Sequence, residues 1–297
     1  MSRSRTVVER DSDLFPRGLN DLERPPHALF VDGELPRPGA RRVAIVGSRS
    51  PSPSGVWMAY GLARELARAG VVVASGLARG IDSAAHRGAL DGGGATVAFL
   101  GCGVDVMYPR SSRELGASIV SNGALVSEYP DGSPPRPFRF VERNRLLAAY
   151  TEATIVVEAG EKSGALITAG IALQYGRYLW SVPGDPRRPC SRGSNRLLRD
   201  GAGVALDAMD VLVGLGLLGS GGETVSMLPA GLSAPEEKVV KVLSECGFAD
   251  LEVLTRRCRL ATATLLEAVS LLELAGHVRR EPEGYALTWD SARGGFR

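Results

Sequence analysis

The chain has 297 residues, 44% hydrophobic and 23% charged, with a formal net charge of +2. This suits one large α/β domain plus a small one, and the overall charge by itself points to no nucleic-acid partner. Four scattered cysteines (Cys102, Cys190, Cys246, Cys258) without a C-x-x-C pair, and only three histidines, argue against a zinc site and for reduced thiols.

Residues 1–22 read as an N-terminal segment. Its MSRSRTVVERDSD start has basic residues with no apolar core behind them, so no secretory leader is expected. The longest apolar tract, VLVGLGLL at 211–218, is too short to cross a bilayer. A cytoplasmic location without membrane contact follows as the expectation.

From residue 42 onward, six apolar runs recur: RVAIV, VVVAS, TVAFL, ALVSE, TIVVE and YLWSV. They are continuous rather than alternating, as in strands buried on both faces of a parallel sheet. Residues 53–70 form a helical pattern between the first two. Ala59, Leu62, Ala63, Leu66 and Ala67 share one face, Arg64 and Arg68 lie off it, and Gly70 stops it. Strand–helix alternation of this kind predicts an α/β fold, a Rossmann-like doubly wound and mostly parallel sheet, over 23–213.

Five of the six runs lead into glycine: Gly47, Gly76, Gly101, Gly160 and Gly184. In a parallel sheet these turns emerge along one edge, where bare amides and helix starts favour anions. The first turn supplies Gly47, Ser48 and Arg49, and the second supplies Ser75, Gly76, Arg79 and Gly80. A dinucleotide is disfavoured, because no G-x-G-x-x-G fingerprint and no ribose-binding acid are present.

Asp82 and His86, four apart in GIDSAAH, suit either a carboxylate-oriented base or a helix cap beside a packed histidine. Glu128 and Glu158 end two strands and suit either paired carboxylates or partners for nearby arginines. RPFRFVERNR (136–145) carries four Arg against one Glu. With Phe138, Phe140, Arg143, Asn144 and Arg145 it reads as an anion site with aromatic surfaces. VVEAGEKSGALITAG (156–170) mimics a phosphate loop, with Lys162, Ser163 and Gly164 before a helix. Yet Val156 and Glu161 stand where a P-loop needs glycine, so the triphosphate reading fails. RRPCSRGSNRLLR (187–199) has five Arg and no acid. No nucleophile elbow and no metal quartet occur, so neither catalytic residues nor cofactors are expected.

Residues 214–231, containing GLGLLGSGG, read as a linker. Over 232–297, three helical patterns and a hairpin around HVRREPEGYALT suggest a winged helix. Its third helix offers Thr262, Thr264, Glu267, Ser270 and Glu273 but no Lys or Arg, which suits protein contact as well as groove reading.

Taken in order, VAIVGSR (43–49), VVASGLARGIDSAAHRGAL (72–90), GCGVDVMYP (101–109), SEYP (127–130), ERNRLLA (142–148), VVEAGEKSGALITA (156–169), VPG (182–184) and SNRLLRDGA (194–202) resemble the DprA/Smf family. The upstream LFPRGLNDLERPPHALFVDG fits too. No sterile-alpha-motif-like domain is expected ahead of the core. The resemblance implies a homodimeric binder of single-stranded DNA, not an enzyme. It further implies a recombination mediator that protects incoming DNA and helps load the RecA recombinase in natural transformation. Lys162, Ser163 and the amides near Gly164 would then hold a DNA phosphate. The competing reading is a Rossmann-like nucleotide-binding enzyme, such as a nucleoside monophosphate phosphoribohydrolase. That reading needs a PGGxGTxxE-type loop with its acid, which EAGEKSGALITA does not supply.

Overall fold

The computed structural model describes residues 5–217, 232–246, 248–281 and 284–287. The chain packs as two compact units, Met1–Gly222 and Glu223–Arg297.

In the first unit the elements run β1 (Thr6–Glu9), β2 (Ala28–Gly33), β3 (Arg42–Val46), α1 (Pro53–Arg68), β4 (Val72–Ser75), α2 (Ile81–Asp91) and β5 (Thr96–Phe99). They continue with α3 (Arg113–Ser121), β6 (Gly123–Ser127), α4 (Pro137–Tyr150), β7 (Ala153–Val156), α5 (Gly164–Gln174), β8 (Tyr178–Ser181), α6 (Arg192–Arg199), β9 (Gly203–Val204) and α7 (Ala208–Gly214). One nine-stranded sheet results, in the order β1-β2-β6-β5-β4-β3-β7-β8-β9. The strands from β6 to β9 are parallel, and β2 joins β6 antiparallel with Phe30 opposite Ser127.

The six apolar runs are strands β3 to β8, and both of their faces are covered. Ala44, Val46, Val72 and Ala74 point to a core beneath α4 and α5, while Val43, Ile45, Val71 and Val73 point to a core beneath α1, α2 and α7. Burial on both sides explains why these strands do not alternate with polar residues. In α1 the expected stripe is buried, with Leu66 fully enclosed and Leu62 nearly so, each contributing about 1.5–3 kcal/mol. Ser52 caps the helix by accepting from the Gly55 amide, and Gly70 leaves it with a φ of +80°.

Of residues 1–22, read as an N-terminal segment, 6–22 pack into this unit. Val7 of β1 lies opposite Phe30, and Phe15, Leu19 and Leu22 are buried in the α4-side core. These pieces are short and half polar, so only their pairing with β2 and packing under α4 makes them part of the fold. The expected linker begins inside structure as well: Gly214 ends α7 and Leu215 is buried. Its remainder, 218–231, lies outside the described residues.

In the second unit α8 (Ala234–Cys246), α9 (Leu251–Cys258) and α10 (Thr262–Leu274) precede a hairpin of β10 (Val278–Glu281) and β11 (Gly284–Leu287). Val239, Leu243, Leu254, Leu265, Val269 and Leu272 form its core. This is the three-helix-and-hairpin arrangement that the sequence implied.

Candidate nucleic-acid interface

At the switch point of the sheet the direction of winding reverses, because β3 has β4 on one side and β7 on the other. The turns after β3 and β7 therefore part, and open a crevice at the C-terminal strand ends. The crevice has a volume of about 650 Å³. Three elements wall it: the β3 turn with Gly47, Ser48 and Arg49; the first turns of α4; and the loop into α5 with Lys162, Ser163 and Gly164.

Local hydrogen bonds hold each wall. The Ser48 amide donates to the Glu158 carbonyl (2.7 Å), and the Ile81 amide to the Ser48 carbonyl (3.1 Å). Ser163 caps α5, accepting from the Ala165 amide (3.3 Å). A Cβ added at Gly164 would meet nothing, so the start of α5 stands in open space. An α-helix start carries partial positive charge.

Within α4, Pro137, Phe140, Val141 and Asn144 line the crevice. Their spacing of i, i+3, i+4 and i+7 is one face of a helix. That periodicity, available in RPFRFVERNR, groups Phe140 with Val141 and Asn144 but does not say which face meets the crevice, and Arg143 and Leu147 line it too. Phe138 is 52% exposed outside the cavity. Phe140 is half-buried, its ring centroid 5.4 Å from that of Tyr108 and 5.9 Å from the Arg49 guanidinium carbon. Of Phe138 and Phe140, either of which could offer a stacking surface, helix rotation puts Phe140 at the crevice and leaves Phe138 outside it.

The two arginines of RNR also part. Arg145 pairs with Glu128, donates to the Arg24 carbonyl (2.9 Å), and lines a separate cavity with Tyr129, Glu142 and Tyr175. Arg143 is only 4% exposed. Its guanidinium donates to the Phe99 carbonyl and fills the space above Gly76, forming the crevice floor. Asp82 lies beside it and lines the same floor. Burial pushes the Asp82 carboxyl above its ordinary range, while Arg143 opposes that shift.

Several expectations for the turns change accordingly. Ser75 is fully buried and donates to the Ile45 carbonyl (2.6 Å), so it faces the sheet and not a ligand. Gly76 makes room for Arg143, and Gly80 (φ +82°) lets the start of α2 approach the Ser48 carbonyl. Arg79 is exposed but does not line the crevice. Most glycine turns at this edge therefore serve packing between loops, and the open backbone is at Gly164. Thr168, one turn into α5, and Ala78 also line the cavity and were missed because neither has a distinctive side chain.

The proposed carboxylate pair does not form. Glu128 and Glu158 follow β6 and β7, four strand steps apart, or about 19 Å at the usual spacing. Glu158 instead accepts from the Ser52 amide (2.9 Å) at the start of α1, so the β7 loop brings no such acid to the crevice. His86 is fully buried, its Nδ1 2.7 Å from the Thr96 hydroxyl, which itself donates to the Val73 carbonyl. Nδ1 must therefore carry the proton. Burial holds this imidazole down to a pKa of about 3, so it packs neutral and is no base. Among the described residues no cluster of His, Cys, Asp or Glu suits a metal, and no helix is long and apolar enough to cross a membrane.

The crevice thus combines Arg49, Lys162, the positive floor residue Arg143, a helix start and one aromatic face against a single carboxylate. That chemistry holds an anion and offers a ring for stacking. Comparison with known proteins agrees with it. Residues 6–216 match the family described as DNA recombination-mediator protein A, and 224–284 match the DprA winged helix domain. The chain is 34% identical to Protein Smf of Escherichia coli, over 94% of this chain and 76% of that protein. It is 40% identical to a putative DNA processing protein DprA of Mycobacterium tuberculosis, over 93% and 75%. Among solved structures, DNA processing protein A of Streptococcus pneumoniae matches with a TM-score of 0.67 and 35% identity, covering 71% of this chain and 74% of that one. DNA processing protein A of Helicobacter pylori, described for its single-stranded DNA binding mode, matches with a TM-score of 0.64 and 30% identity, over 72% and 96%. With both parts of the chain matched in order, this protein belongs to the DNA recombination-mediator protein A (DprA/Smf) family.

Proposed function

We propose that this protein binds single-stranded DNA in the switch-point crevice, as a recombination mediator and not as an enzyme. The observation that carries the reading is the convergence of Arg49, Lys162 and the open α5 start on a cavity that Phe140 also lines. Cations and amides take phosphates whatever the sequence, and an exposed ring face accepts any base. The Helicobacter pylori relative with the single-strand binding mode supports the choice of ligand.

By the same family reading, the protein protects incoming strands in the cytoplasm and helps load the RecA recombinase during natural transformation. It acts as a homodimer. The short edge strand β9 supports this last point, since its Val204 (48%) stands exposed, with Leu206 (61%) exposed just beyond it.

Fluorescence anisotropy with single-stranded and duplex oligomers across salt concentrations tests the reading. Single strands should bind more tightly, with affinity falling as salt rises. Tight binding of a mononucleotide without affinity for oligomers would overturn it. So would turnover of a nucleoside monophosphate.

A further inference from the structure

Five arginines in 187–199 remain outside the crevice, and their placement gives them a role. Residues 185–200 hold five Arg and two Asp, a net charge of +3 in a chain whose total is +2. Those charges are not dispersed. Arg192, Arg196 and Arg199 lie at i, i+4 and i+7 of α6, all exposed, within about 60° of arc and along about 10 Å of helix. The opposite face carries the buried Gly193 and Ser194, and half-buried Leu197 packs on the core beneath α4 and α5. Arginines three or four positions apart on a helix repel one another. Asp200 alone answers Arg196 and Arg199, at 3.5 and 3.6 Å.

The stripe adjoins the crevice. Gly193 and Ser194 both donate their amides to the Ala159 carbonyl (2.8 and 3.2 Å), and a Cβ on Gly160 would touch the Pro189 carbonyl (3.4 Å). Ala159 and Gly160 lead directly to Lys162, and Gly160 itself lines the crevice. Arg188 and Arg192 each stand one residue from these junctions, so the backbone brings the arginine-rich segment next to the loop that carries Glu161 and Lys162. A self-repelling row next to an anion crevice is a track for more of the same polyanion.

We infer that the arginine stripe of α6, together with Arg188, carries the single strand onward from the crevice. This rests on the single-strand reading above and adds to it a second, length-dependent part of the binding surface. The crevice holds the first nucleotides, and the stripe holds phosphates only of strands long enough to reach it.

The test compares oligothymidylates of about 4 and about 16 nucleotides, spanning usual single-strand site sizes. The full chain is set against a variant with Arg188→Ala, Arg192→Ala and Arg196→Ala. The parent should bind the long oligomer more tightly. The variant should bind the short one like the parent and lose the gain from length. Its salt slope on the long oligomer should fall by about 2, at about 0.7 for each phosphate no longer neutralised. An Arg→Lys version at the same three positions should restore most of the slope, which separates a charge effect from misfolding. If the alanine variant melts lower, Arg→Gln at the same positions replaces it. A parent that binds both lengths equally, or a variant that keeps the gain, overturns the track while leaving the crevice standing. A parent that binds neither oligomer overturns both.

Discussion

The guanidinium of Arg143 occupies the space that a side chain at residue 76 would need. Gly76 opens the turn after β4, and a Cβ there would overlap the Nη1, Nη2 and Cζ atoms of Arg143. The glycine and the arginine are a matched pair: one turn is left bare so that a buried cation from α4 can reach the strand ends and the Phe99 carbonyl. Replacing Gly76 by Ala should overpack this floor and cost about 1–3 kcal/mol of stability, read as a lowered melting temperature. An unchanged melting temperature would mean that Arg143 moves freely.

Arg49 and Lys162 line the crevice from different walls, the β3 turn and the loop into α5. Alanine at either should weaken single-strand binding and flatten its salt slope by about 0.7 for each phosphate that loses its cation. Titrations at several salt concentrations measure this, and parental slopes in both variants would misplace the site.

Phe140 and Phe138 should separate. Phe140→Ala should cost about 1–3 kcal/mol of single-strand affinity if a base stacks on the ring. Phe138→Ala, on a residue 52% exposed and outside the cavity, should leave that affinity unchanged. Equal losses in the two variants would contradict the helix-face assignment.

His86 predicts a specific acid sensitivity. Its folded pKa of about 3 lies below its ordinary 6.5, so the unfolded chain binds the proton more readily. The contribution to stability is full above pH 6.5, and is lost as pH falls from there toward 3. His86→Gln should flatten that part of the pH–stability curve. Denaturant midpoints measured across this range would show the difference.

The winged helix should contribute little to single-strand binding. α10 has no Lys or Arg, and its outer surface exposes Leu266 (42%), Leu271 (47%) and Leu274 (85%). A groove-reading helix normally presents Arg, Lys, Asn or Gln to base edges. A chain ending near Gly221 should keep most of the affinity for single strands. Loss of binding by a folded, truncated chain would shift attention to Arg279 and Arg280 on β10.

How far the sequence reaches can be judged from particular residues. Strands β3 to β8, the α1 stripe and the three helices of the winged unit are legible because hydrophobic burial imposes a period, and local composition records it. Lys162, Ser163 and Gly164 are legible for a related reason: a helix start needs a cap, and Ser163 is written into the chain beside Gly164. By contrast, Arg143 and Arg145 are the same residue type two positions apart, and nothing in their composition separates them. Rotation of α4 against β5 turns one into the crevice floor and hands the other to Glu128. The same rotation chooses Phe140 over Phe138. The outlying strands β1, β2 and β9 exist because neighbours supply their hydrogen bonds, not because their own residues demand extension. Local periodicity thus settles which segments become helix or strand. Which side chains meet depends on strand order, helix rotation and the space left at glycines, all of which join residues far apart in the chain.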